Sequence, residues 1–255
     1  MLHQILLIAK NTYLETVRDR VILGGTIISF FAVLFSLFIG SISVEQNTRI
    51  IIDLSLSSIY ILQVFISIFI GATLLSKEIE RKTLFLLIPK VTRRESLLVG
   101  KIAGLLLVVF VVTLINLILL LALLYSRTGF AFAWIIGVSL VYSLIESAIL
   151  IVIAIFFSLF TSPILSVLFT SSLFLIGHSQ AILKVIILKS PVVLAKFLSI
   201  FYYVLPNLEK FNIRNDVIYK LAPEWKNFLF VLLYASLYTA LIFSISRILF
   251  KKKEF

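Results

Sequence analysis

Long apolar runs broken by short polar segments make up most of this chain. The runs cover 21–44, 54–75, 97–125, 134–160, 164–180 and 228–247. Each approaches or exceeds the ~20 residues that cross a ~30 Å hydrocarbon layer as helix. The ten-residue alternation of a membrane β-barrel is absent, because both faces of these runs stay apolar. The pattern predicts an all-α, polytopic integral membrane protein: a single transmembrane domain over 1–255 with six transmembrane helices.

The segments between the runs carry the next level of pattern. Leu2, Ile5, Leu6, Ala9, Tyr13 and Val17 share one helical face, while Gln4, Lys10, Asn11, Glu15, Arg18 and Asp19 occupy much of the rest. That 3.6-residue period predicts an amphipathic helix over 1–20, too polar to span and suited to the plane of the membrane interface. Between the fifth and sixth runs lies a long segment, 181–227. Its apolar part, 192–205, is short for a crossing and reads as an interfacial or re-entrant helix, followed by a polar loop from Pro206 to Pro223. All five prolines fall between the runs, where they end one helix or start the next.

Six spans put both termini on one side, and charge names that side. Fourteen of the 23 Lys and Arg fall in segments assigned inside and nine in those assigned outside. Seven of the nine lie in 181–227, which pulls against the positive-inside rule; the first loops follow it and set the expectation of a multi-pass protein with both termini cytoplasmic.

Composition narrows the function classes. The chain is 61% apolar and 14% charged, against about a quarter charged in soluble domains. Its net charge of +11 sits in segments that flank spans rather than along one soluble face, so no nucleic-acid partner is expected. There is no Cys and no Met beyond Met1, which excludes a disulfide, a thiolate metal site and a thiol nucleophile. The start has no basic n-region or small-residue cleavage motif, so no cleavable signal peptide is expected.

Candidate chemistry is sparse. No HExxH, GxSxG or GxxxxGK[ST] pattern occurs; Gly100-Lys101 is followed by Ile102 and has Glu95 where a Walker first glycine would stand. No metal site and no nucleotide site is expected, so energy for any active process would come from a partner or an ion gradient. Glu146 is the one acidic residue deep in a span and must face the bundle or a water-filled cavity. It reads either as a proton relay or substrate contact, or as a protonated or hydrogen-bonded packing residue, and no basic residue elsewhere in a span offers it a partner. Asn116 reads as a packing hydrogen bond, and His178 as an interfacial polar group beside Ser179 and Gln180. Gly100 and Gly104 form a GxxxG that permits close helix approach. Trp134, Trp225 and the run Phe201-Tyr202-Tyr203 mark membrane interfaces rather than a substrate cage.

The densest charge lies in 76–101, SKEIERKTLFLLIPKVTRRESLLVGK, with an apolar run from Thr83 to Ile88 closed by Pro89. Such a block cannot lie in hydrocarbon. Its order — Glu78, Glu80, Arg81, Lys82, Thr83 and Leu84, then Pro89, then Arg93, Arg94 and Glu95, then Lys101 — resembles permeases of type-2 ATP-binding cassette exporters. The amphipathic 1–20 segment is similar to that family's elbow helix. The run Tyr202-Tyr203-Val204-Leu205-Pro206-Asn207-Leu208-Glu209-Lys210-Phe211-Asn212 resembles the subgroup serving nitrous oxide reductase and other multicopper-enzyme maturation systems.

The resemblance implies a bacterial or archaeal cytoplasmic-membrane permease subunit that is not itself an enzyme. ATP and Mg would be bound by separate ATPase subunits docked on a short coupling helix within 76–101. It implies further partners: a second copy or a paralogue, the lipid bilayer, and an extracytoplasmic protein at 181–227 contacting Pro206, Asn207, Glu209 and Phe211. The lack of Cys and internal Met argues against direct copper conduction. Three other classes compete: a proton-coupled secondary transporter using Glu146, an integral-membrane enzyme such as a lipid transferase, and a non-transporting anchor coupled to an ATPase. No clustered carboxylates or histidines at a membrane face support the enzyme.

Overall fold

The computed structural model describes residues 2–42, 47–80, 94–219 and 223–252. These are almost entirely helical, with no strand among them. In hydrocarbon a backbone must satisfy its own hydrogen bonds, and within one segment only a helix does so. In chain order the helices are α1 (Leu2–Val17), α2 (Arg20–Ile42), α3 (Asn47–Phe65), α4 (Gly71–Glu80), α5 (Arg94–Thr128), α6 (Ala133–Ser158), α7 (Pro163–His178), α8 (Gln180–Lys189), α9 (Val192–Val204), α10 (Arg214–Ile218) and α11 (Trp225–Lys252). A π-helical turn, Ile66–Ile70, joins α3 to α4, so 47–80 runs as one long helix.

Five helical stretches are long and apolar enough to cross a membrane: α2, α3–α4, α5, α6 and α11. Two bent pairs, α7 with α8 (69°) and α9 with the segment 209–217 (44°), raise the number to seven if each is one span. The chain is an all-α, multi-pass membrane protein. The run read as 164–180 is α7, and it ends at His178 in a sharp bend. The helix read at 192–205 is α9, and none of its residues is buried.

α6 is the hub. Of its spanning window 67% is buried inside the protein, against 11% for α11 at the periphery. Glu78, Glu95, Lys101 and Arg247 meet at one end of the bundle, the near end, through the pairs Glu78–Lys101 and Glu95–Arg247. The far end holds the α5–α6 turn and the start of α11, where Trp134 and Trp225 line one cavity. At that turn Gly129 takes φ +59, the left-handed conformation that ends a helix at least cost in glycine.

Hydroxyl and amide side chains sew the spans together. Ser36 meets Ser55 at 3.0 Å, Gln63 Nε2 donates to Thr113 Oγ1 at 2.7 Å, and Ser29 donates to Asn116 Oδ1 at 3.2 Å. Such bonds hold helices where apolar burial gives little preference over lipid.

α1 packs chiefly on the first turns of α5. Its buried side chains are Ala9, Thr12 and Thr16, whereas Leu2 and Leu6 face outward. The contact is close because α5 presents glycines. A Cβ on Gly104 would stand 2.7 Å from the Ala9 carbonyl oxygen and from Thr12 Cβ, and one on Gly100 would stand 2.7 Å from Ile8 Cβ. The GxxxG therefore serves α1. Gly104→Ala is expected to destabilise by about 1–3 kcal/mol, the usual cost of overpacking. Gly24→Ala, whose Cβ would meet nothing within 4 Å, should not destabilise. Melting temperatures of the two variants in detergent check this.

Candidate functional site

The far half of the bundle encloses a connected set of polar side chains from four elements. Glu146 lies on α6, 1% exposed, about 20 Å along the helix from its far-end start. Tyr60 of α3 donates its hydroxyl to Glu146 Oε1 at 2.8 Å. His178, the last residue of α7, brings Nε2 to 2.8 Å from both Glu146 Oε1 and the Tyr60 hydroxyl. On the other side of the ring, His178 Nδ1 donates to Glu209 Oε2 at 3.1 Å.

The set closes on itself. Asn212 Nδ2 donates to Glu209 Oε1 at 3.2 Å, and Arg214 Nε donates to Asn212 Oδ1 at 3.1 Å. The Arg214 guanidinium then lies 3.9 Å above the centre of the Tyr60 ring, a cation–π contact. Two carboxylates, one guanidinium and one imidazole share the site, so a protonated His178 balances its charge.

The hydrogen-bond geometry defines what this set can do. Nδ1 faces a carboxylate oxygen and so carries hydrogen. Nε2 faces Glu146 Oε1 and the Tyr60 oxygen. Nε2 and Oε1 stand at hydrogen-bond distance, 2.8 Å apart, with the Tyr60 hydroxyl 2.8 Å from both. Glu146 Oε2 is buried with no hydrogen-bond partner among the described residues. A buried carboxyl with one unpartnered oxygen, hydrogen-bonded to an imidazole, has the donor set of an intramembrane polar site.

Local folding explains how the residues meet. α7 begins with Pro163 at its first position, pre-set for a helix start, and ends where the chain bends 69° at Ser179. The 16-residue length of α7 sets His178 at the depth of Glu146, and the chain turns away just after it. The segment 206–217 then folds inward. Leu208 N donates to the Gly177 carbonyl at 3.1 Å and Asn207 N to the Tyr234 hydroxyl at 2.8 Å. Leu208, Phe211 and Val217 are buried in the core, so Glu209 is delivered between two anchored apolar side chains. The stretch expected to be a polar loop is thus an apolar plug with polar groups on one side.

The sequence-derived residues divide between the two ends. Glu146, Glu209, Pro206, Asn207 and Phe211 lie in or beside the far cluster. His178, read as an interfacial group, is the partner Glu146 lacked, and Tyr60, Asn212 and Arg214 were missed. The available signal was the spacing of Leu208, Phe211 and Ile213, three apolar positions within a loop otherwise rich in charge.

At the near end, Lys101 Nζ donates to Glu78 Oε1 at 2.6 Å with Lys101 almost fully buried, and Arg247 Nη2 meets Glu95 Oε1 at 2.7 Å. Glu80 is exposed at the end of α4. Arg81, Lys82, Thr83, Leu84, Pro89 and Arg93, and with them the expected coupling helix, lie outside the described residues; Arg94 starts α5. No metal-holding group of three or more His, Cys, Asp or Glu occurs among the described residues.

His178→Ala removes the ring that bridges Glu146 and Glu209. Amide hydrogen exchange is expected to accelerate at Leu208 and Asn212, while α1 and the near half of α5 keep their protection. Unchanged exchange at Leu208 would mean that apolar packing alone holds the segment. Neither any protein-family model nor any curated protein matches the chain.

Proposed function

We propose that the chain is the permease subunit of a type-2 ATP-binding cassette exporter, with ATP hydrolysed by separate ATPase subunits. In this reading it has six spans and both termini in the cytoplasm; the near end is cytoplasmic and α1 is the elbow helix at that interface. The carrying observation is the bracing around the segment that joins α4 to α5. α1 is seated on Gly100 and Gly104, and the Glu78–Lys101 and Glu95–Arg247 pairs clamp the flanks of 81–93. An element that receives force from a partner needs rigid attachment on both sides, and the outward leucines of α1 suit a membrane interface.

The route for that force is the unbroken helix 47–80. Its end carries Glu80, and Tyr60 lies 20 residues earlier, about 30 Å away along the helix. A push at the near end therefore moves a residue that touches Glu146 and His178. Two copies, or one copy and a paralogue, would enclose the pathway. The chain is expected to co-purify from native membranes with an ATPase bearing a Walker motif. Charge reversal at Glu80 and Arg81 together should abolish coupled ATP hydrolysis while the permease still inserts. Normal coupling in that variant would remove the docking assignment.

A second reading is favoured by the buried contact between Glu146 and His178, 2.8 Å apart within a span. Here the chain is a secondary transporter driven by protons, and the far cluster is its coupling site. Glu146→Gln keeps the shape and loses the proton. Transport in reconstituted vesicles should stop in this variant if a proton gradient is the driving force. It should persist, with ATP, if the ATPase reading holds.

A further inference from the structure

A second pair of cavities opens at the far end, beside the cluster but not part of it. The first, about 500 Å³, is apolar and lies between α5, α6 and the start of α11; Trp134, Gly137, Trp225 and Phe228 line it. The second, about 320 Å³, carries Tyr142, Lys210, Asp216 and Asn227. Pro223 lines both, and the Tyr142–Phe228 ring contact, 5.6 Å between centres, forms the wall between them. Volumes of this size hold small ligands when an apolar lining carries a few placed polar groups.

The two lobes differ in chemistry in the way the two parts of an amphiphile do. Gly137 leaves the floor of the apolar lobe open, since a Cβ there would meet nothing within 4 Å. Trp134 and Trp225 line it and are largely exposed, so the lobe opens to the outside between them. In the polar lobe the Lys210 ammonium rests 4.4 Å from the centre of the Tyr234 ring, and it has no ion-pair partner among the described residues. Asp216 likewise has none there. A cation and an anion in one small pocket, each without its own counter-charge, complement a zwitterion.

We infer that the paired cavities are a binding site for one zwitterionic phospholipid, with one acyl chain in the apolar lobe, its phosphate toward Lys210 and its amine toward Asp216. The inference rests on shape and charge at the far end and is independent of what drives transport. It assigns to this chain a specific lipid contact, distinct from the general contact of its outer faces with lipid.

The chain supplies its own reporter, because Trp134 and Trp225 are its only two tryptophans and both line the apolar lobe. The full chain in a maltoside detergent is titrated with a lysophospholipid that has a phosphoethanolamine head and a brominated acyl chain, and tryptophan quenching is read. Saturable quenching is expected. Gly137→Leu fills the lobe and should remove the saturable component while the elution volume on size exclusion is kept; Gly137→Val serves the same purpose where leucine lowers the yield. Lys210→Gln should raise the half-saturating concentration about tenfold, the value of one charge-assisted hydrogen bond. A brominated monoacylglycerol of the same chain length, lacking phosphate and amine, should bind wild type about as weakly. Linear quenching, or saturable quenching unchanged in the filled variants, would overturn the site: the tryptophans would then only face the micelle. Equal affinity for both probes would overturn the headgroup assignment.

Discussion

A carboxylate in the middle of a membrane helix cannot be left alone, and Glu146 sets a constraint that much of the far half of this bundle meets. Removing one partner from a buried charged pair typically costs about 3–5 kcal/mol, a large part of a domain's ~5–15 kcal/mol stability. The chain supplies partners from three directions. α3 brings Tyr60, the truncated end of α7 brings His178, and the inward fold of 206–217 brings Glu209 to the far side of the imidazole. α7 runs 16 residues from Pro163, which brings its last residue, His178, level with Glu146, and the 69° bend then turns the following chain aside. The plug is anchored by Leu208 and Phe211, so apolar burial positions a polar contact.

The near end is built on the opposite principle. Close backbone approach through Gly100 and Gly104 leaves little slack between α1 and α5, and a buried lysine paired to Glu78 ties α5 to α4. Close packing transmits displacement instead of absorbing it. The one irregularity along 47–80 is the π-helical turn Ile66–Ile70, midway between the clamp and Tyr60; just beyond it, Gly71 lets α4 lie against Ala154 of α6. π-turns recur at functional positions in helices. Here the turn lies between the Gly71 contact of α4 with α6 and the Tyr60 contact of α3 with Glu146.

The helical, multi-pass character of the chain was legible in run length alone, and the helix boundaries fell close to the edges of the apolar runs. The reason is physical: in hydrocarbon, backbone self-satisfaction leaves few alternatives to a helix. The amphipathic 1–20 segment was legible as a helix, but its packing face was not. Of the apolar face read from the period, Ala9 is buried while Leu2 and Leu6 face outward, and Thr12 and Thr16 join Ala9 in the contact, because against a glycine-bearing helix small size decides it. The far cluster was half legible. Glu146 stood out as an isolated charge in a span. His178 did not, because its depth depends on where α7 stops, and Gly177 beside it is too ordinary in a membrane helix to mark that stop. Arg214 and Asn212 were hidden in a segment whose charge resembled solvated loop, and its four buried apolar residues, Leu208, Phe211, Ile213 and Val217, are too irregularly spaced to register as a hydrophobic period.

That segment also bears on the charge pattern. With both termini inside, the seven basic residues of 181–227 run against the positive-inside rule. Two of them have another role in the folded protein. Arg214 lies over Tyr60 at 3.9 Å and Lys210 over Tyr234 at 4.4 Å, each using an aromatic face of a neighbouring helix as its partner. An arginine over the ring whose hydroxyl donates to Glu146 places positive charge beside the carboxylate without a direct ion pair. A lysine there would lose the planar fork that holds Asn212 and, through it, Glu209.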